Sequence, residues 1–106
     1  MSTDPPTVAS DKLPDLVRQI IAEVLMVPRE QVRPDSALIA DLGAESLDFL
    51  DLLFRLEEAL GKKMPPDRWD EFARTKAPEG DFGTVITTDV MLEFARRESK
   101  RDSERE

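Results

Sequence analysis

Three stretches of the chain repeat apolar residues at helical spacing, and polar segments rich in proline or glycine separate them. In the first, Leu13, Leu16, Val17, Ile20, Ile21, Val24 and Leu25 recur at steps of three and four, which places them on one face of an amphipathic helix. Ser10 or Asp11 is the expected cap, Pro14 falls in the first turn, and Pro28 ends the helix near Val27. The second helix is expected from Ser46 to Leu60, stopped by Gly61. Its apolar positions are Leu47, Phe49, Leu50, Leu52, Leu53, Phe54, Leu56, Ala59 and Leu60, which cover most of the circumference. Asp48, Asp51, Arg55 and Glu58 remain as a narrow polar stripe. That pattern predicts a central helix packed on several sides, with one mostly acidic ridge toward solvent. A last helix begins at a Thr87 or Thr88 cap, with Asp89 near its positive end and Val90, Met91, Phe94 and Ala95 on its apolar face.

The intervening segments read differently. Pro65-Pro66-Asp67 signals a short helix from Asp67 to Arg74, anchored by Trp69 and Phe72. Residues Pro28 to Glu45 form a long loop that Val32, Leu38, Ile39 and Leu42 can pin to the helices, with Gly43 supporting a turn. A structureless loop of that length is uncommon in a small domain unless it has a task. Thr75 to Thr84 holds Pro78, Gly80 and Gly83 and is read as another loop. Met1 to Ala9 is polar and proline-bearing, and expected to be loose. Arg96 to Glu106 has no apolar residue and is either a fraying helix extension or a solvated tail. With no repeat and no second core, the fold expected is all-α, a bundle of three longer helices plus one short helix. Its domain spans 12–97, between a flexible segment at 1–11 and a charged tail at 98–106.

Composition narrows the chemistry. The chain has 106 residues, no cysteine and no histidine, so it has no thiolate nucleophile and lacks the commonest general base near neutral pH. A net charge of −8 disfavours nucleic acid and anionic membranes and favours basic protein partners. No run approaches a membrane span and no signal peptide is visible, so a cytoplasmic, monomeric protein without membrane insertion is expected. Asp35, Asp41 and Glu45 lack the ordered spacing of a calcium loop, and no specific metal site is expected.

Ser46 stands where the long loop meets the second helix. By position alone it is a helix N-cap. A hydrolytic role lacks a base: no Gly-x-Ser-x-Gly elbow surrounds it, and Lys62 and Lys63 lie at the far end of the helix. The remaining chemical use is as acceptor of a group added by another protein, and a helix N-terminus suits an attached phosphodiester. Asp41-Leu42-Gly43-Ala44-Glu45-Ser46-Leu47-Asp48 resembles the attachment site of the acyl carrier protein family, Asp-Leu-Gly-Ala-Asp-Ser-Leu-Asp. The resemblance continues through Asp51-Leu52-Leu53-Phe54-Arg55-Leu56-Glu57-Glu58 and Ile86-Thr87-Thr88, and covers about residues 12–97. Glu45 departs from the usual aspartate, and Thr75–Val85 resembles an insertion.

What the resemblance implies is a carrier without catalysis of its own. Ser46 would hold a 4′-phosphopantetheine arm derived from coenzyme A, whose thiol carries acyl groups as thioesters. The implied partners are a phosphopantetheinyl transferase and acyl-processing enzymes such as a ketosynthase, acyltransferase or acyl ligase. Glu45, Leu47, Asp48, Asp51 and Glu58, with Glu57 beside them, would be the docking surface, and Arg55 would tune which partners fit. Phe49, Leu50, Leu53, Phe54, Trp69 and Phe72 would line an acyl pocket, where full enclosure of an eight-carbon chain is worth at most roughly 5 kcal/mol. Fatty acid, polyketide and lipid A routes all suit the pattern, and the departures point to a specialised carrier. The alternative is a helical interaction module with this fold that is never loaded.

Overall fold

The computed structural model describes the backbone of residues 5–105 and the side chains of residues 12–100. Its elements are α1 (Pro5–Leu25), a 3-10 helix (Arg29–Gln31), α2 (Ser46–Leu60), α3 (Pro66–Lys76), α4 (Phe82–Val85) and α5 (Thr88–Arg105). This is the all-α bundle expected: three longer helices, the shorter α3 and one additional helical turn. Helix α1 packs against both α2 and α5, and α3 packs against α5. The core joins Val17 and Ile21 of α1, Leu52, Leu53 and Leu56 of α2, Trp69 and Phe72 of α3, and Met91 and Phe94 of α5.

Several boundaries differ from those expected. Helix α1 starts at Pro5, before the Ser10 or Asp11 cap, so Pro14 lies inside the helix and removes one bond from its ladder. The loose segment expected at Met1–Ala9 overlaps α1 from Pro5 onward, and its first four residues lie outside the described residues. The long amphipathic face outweighs a single proline. Helix α2 has the expected bounds, and Gly61 ends it in the left-handed conformation at φ 67°. Pro66 occupies the first turn of α3, where its missing N–H has no cost. The segment expected as a Thr75–Thr84 loop is helical at both ends: α3 runs on to Lys76, and the one-turn α4 takes it over from Phe82. Thr87 caps α5, its hydroxyl accepting the Val90 N–H at 3.3 Å.

Helix α5 also runs through the expected tail to Arg105. Glu98 is only 7% exposed. It accepts two bonds from Arg68 of α3, Nε at 2.9 Å and Nη2 at 3.1 Å. Those bonds to Glu98 raise the Arg68 pKa above the usual arginine range, against a lowering by burial.

The long loop has structure without being regular. Leu38 N–H donates to the Ile86 carbonyl at 2.9 Å, Ala40 N–H to Gly83 at 3.0 Å, and Thr88 N–H to Ser36 at 3.0 Å. These bonds sew 36–40 to the 83–88 segment around the Ala37–Thr87 bridge. Val32, Leu38 and Leu42 are buried as expected of pins, but Ile39 is 37% exposed.

Candidate functional site

The residues before Ser46 each have a structural task. The Asp41 carboxylate accepts the Ala37 N–H at 2.8 Å and closes the turn. Leu42 and Ala44 are buried. Gly43 takes φ 78°, where a side chain would be strained. Asp35, Asp41 and Glu45 do not converge on an ion, since no group of three acidic, histidine or cysteine side chains among the described residues could hold a metal.

Glu45, not Ser46, is the N-cap of α2, with extended φ −116° and ψ 170°. Its N–H donates to the Asp48 carboxylate at 2.8 Å, and its carbonyl accepts the Asp48 N–H at 2.9 Å. Ser46 therefore stands at the first helical position, one residue inside the place that cap statistics favour. Its side chain is exposed and has no hydrogen bond among the described residues. The Ser46 and Leu47 N–H groups are too early in the helix to find intrahelical acceptors. With the helix dipole they present a positive end to any anion carried by the serine.

Beside Ser46 opens a cleft of about 550 Å³, lined mainly by Ile39, Phe49, Leu50, Trp69, Phe82 and Ile86. That volume falls within the ~300–1,000 Å³ of small-ligand sites. Ser46 itself is among the lining residues, so the hydroxyl stands at the mouth of an apolar space. Trp69 is the back of the cleft. It stacks on Phe49 with centroids 5.7 Å apart and meets Phe94 edge-on at 5.3 Å. Asp67 and Asp70 of α3 supply acidic points on an otherwise apolar wall.

Of the six residues expected around an acyl chain, Phe49, Leu50 and Trp69 line this cleft. Leu53 is instead in the core, 2% exposed, and Phe72 lies behind Trp69 at 6.2 Å. Phe54 is 57% exposed on the outer side of α2. Ile39, Phe82 and Ile86 are lining residues that the sequence reading missed. Phe82 was the sole aromatic in the 75–85 segment, the one signal that could have marked it.

The outer face of α2 is not the narrow acidic ridge expected. Leu47 is 76% exposed and Leu50 49%, so with Phe54 they form an apolar strip among Glu45, Asp48, Asp51 and Glu58. Only Leu52, Leu53 and Leu56 of the helix are buried, because a domain this small lacks the elements to wrap α2 on every side. Glu57 turns away from this face to accept the Met64 N–H at 2.9 Å. Arg55 lies 3.5 Å from Asp51 and 3.4 Å from Glu23.

A family profile described as the phosphopantetheine attachment site matches residues 15–75, more than half of the chain. The chain is 41% identical over 69 residues to acyl carrier protein AcpXL of Brucella melitensis, covering 64% of this chain and 74% of that one. It is 44% identical over 57 residues to AcpXL of Rhizobium meliloti, with 54% and 60% covered. An acyl carrier protein of Borreliella burgdorferi is 40% identical over 63 residues, with 59% and 79% covered.

Proposed function

The chain belongs to the acyl carrier protein family, whose phosphopantetheine-binding domain carries a covalent 4′-phosphopantetheine, and we propose that Ser46 is the residue that holds the arm here. Members of this family are carriers and not enzymes; they tether acyl groups and interact with phosphopantetheinyl transferases and acyl-processing enzymes. The arm supplies the thiol, and hence the thioester chemistry, that a chain without cysteine lacks. The observation that carries the assignment is the exposed, unbonded Ser46 hydroxyl at the first turn of α2 and the mouth of an apolar cleft. In loading, the Ser46 hydroxyl would attack the coenzyme A phosphorus that bears the pantetheine arm and give up its proton to the transferase, while the pyrophosphate bond breaks and 3′,5′-adenosine diphosphate leaves; the free N–H groups of the first turn would favour the phosphodiester anion that results. The experiment is intact-mass measurement after incubation with coenzyme A and a broad-specificity transferase. The wild type gains the mass of one arm; no gain would leave an unloaded interaction module as the reading.

The cleft is the proposed shelter for the acyl chain. Its lining by Phe49, Leu50 and Trp69, with Ile39, Phe82 and Ile86, supports that role. The carrier domain is proposed to span 12–97, in the cytoplasm. A specialised carrier is supported by Glu45, by the 75–85 segment that brings Phe82 to the cleft, and by the likeness to proteins named AcpXL.

The exposed face of α2 is the proposed docking surface, with Leu47, Leu50 and Phe54 as apolar contacts and Glu45, Asp48, Asp51 and Glu58 as the charges that steer encounter. Asp48→Asn retains an acceptor for the Glu45 N–H but removes the charge. It should lower kcat/KM for loading about two- to fivefold at low salt and much less at high salt. The check is loading kinetics at both salt levels, with the melting temperature as control for the cap. An equal rate at low salt would remove Asp48 from the docking surface.

A further inference from the structure

Arg55 is the one basic residue within α2, and it is held in place. Its Nε lies 3.5 Å from Asp51 one turn earlier in the helix, and its Nη1 lies 3.4 Å from Glu23 of α1. The other carboxylate oxygen of Glu23 accepts the Gln19 amide at 3.0 Å. A polar chain thus runs from α1 across to the exposed face of α2. The Arg55, Asp51 and Glu23 side chains are 43%, 49% and 51% exposed, so the guanidinium remains at the surface.

The consequence is an uneven charge along α2. Near Ser46, the Asp48 carboxylate accepts the Glu45 N–H, and the ion pairs of Arg55 go to Asp51 and Glu23. In the middle, the charge of Asp51 is offset by Arg55. An incoming lysine or arginine placed opposite Asp51 meets a fixed positive charge beside its target, and like charges across an interface disfavour binding. Leu50 and Phe54 flank this point and are open to apolar contact.

We infer that Arg55 is a specificity-determining residue, which fits this carrier to protein partners with basic groups opposite Glu45 and Asp48, an apolar recess for Leu50 and Phe54, and no basic group opposite Arg55. The inference rests on α2 being the docking face proposed above. Partners with a uniformly basic docking face are accepted less well than the acidic sequence alone would suggest.

The test uses the full chain, coenzyme A and a transferase whose docking face is basic throughout. Loading of wild type, Arg55→Ala, Arg55→Gln and Arg55→Glu is followed by intact mass at low and high salt. Arg55→Ala and Arg55→Gln should each raise kcat/KM about two- to fivefold at low salt, the scale of one exposed charge contact. Arg55→Glu should raise it further, and all three gains should shrink at high salt. Two alanine and glutamine variants guard against a folding effect, since the ion pairs lost are exposed and near-neutral melting temperatures are expected. Normal wild-type loading without a gain in the variants overturns this inference alone. Absence of wild-type loading overturns the proposed function, and this inference with it.

Discussion

Phe94→Ala is expected to destabilise the protein by about 3–5 kcal/mol. Phe94 is 1% exposed and lies in the core where α5 meets α3. Its ring meets Trp69 at 5.3 Å and Phe72 at 5.4 Å, so α5 supports the wall of α3 that backs the cleft. Truncation leaves a void behind Trp69 that the neighbouring rings can fill only by moving, and stiff aromatic rings in a close-packed core relax incompletely. Denaturant unfolding of wild type and variant measures the loss. Trp69 fluorescence in the folded variant should change as well, since its edge-on partner is gone. A loss under about 1 kcal/mol would mean that the aromatic cluster is not what holds α3 in place.

The second large effect is expected at Glu98. Breaking a buried ion pair from one side costs about 3–5 kcal/mol when the remaining charge is trapped. Here Arg68 is 33% exposed and can turn to water, whereas Glu98 is 7% exposed. Glu98→Gln, which removes the charge while keeping an acceptor, should therefore destabilise by about 1–3 kcal/mol. Salt should weaken this pair less than the exposed Lys76–Glu93 pair. The pH dependence follows from the raised Arg68 pKa. A group whose folded pKa is raised contributes stability at all pH values below its unfolded pKa, and loses it only as pH rises through the folded value. For an arginine that lies far above neutrality, so the wild-type advantage should stay flat from neutral into the mildly alkaline range. Thermal melts of both proteins across that range check this. A steady decline would mean that another group governs the contact.

Helix α2 and the serine at its start were legible because their signals are local: a glycine stop, a run of apolar residues and a recognisable attachment pattern. The sides of α2 were harder to read. Leu47, Leu50 and Phe54 have the composition of core residues, and only the absence of a neighbour leaves them in solvent. Spacing cannot report how many elements are available to cover a helix. Glu98 failed in the opposite direction. Met91, Phe94, Ala95 and Glu98 follow the same three- and four-residue steps, so the carboxylate continues the apolar stripe into the core. That position was visible in the sequence, but the Arg68 that makes burial tolerable comes from another helix. Phe82 and Ile39 reach the cleft through the backbone pairing of residues 36–40 with 83–88, a nonlocal contact with no periodic signature. Ser46 shifted by a single residue, because Glu45 takes the cap through the paired bonds with Asp48.

The central claim is that the arm is joined to Ser46 and to no other residue. The chain also holds Ser2, Ser10, Ser36, Ser99 and Ser103. Ser36 is buried and its hydroxyl is engaged, accepting the Arg33 N–H and donating to the Gln31 carbonyl, both at 2.9 Å. Peptide fragmentation by mass spectrometry of the fully loaded chain locates the modification directly, with Ser46→Ala as the paired sample. One phosphopantetheine on Ser46, and an unmodified Ser46→Ala chain, is the result predicted. An arm on a different residue, or a mass gain that survives Ser46→Ala, would contradict it.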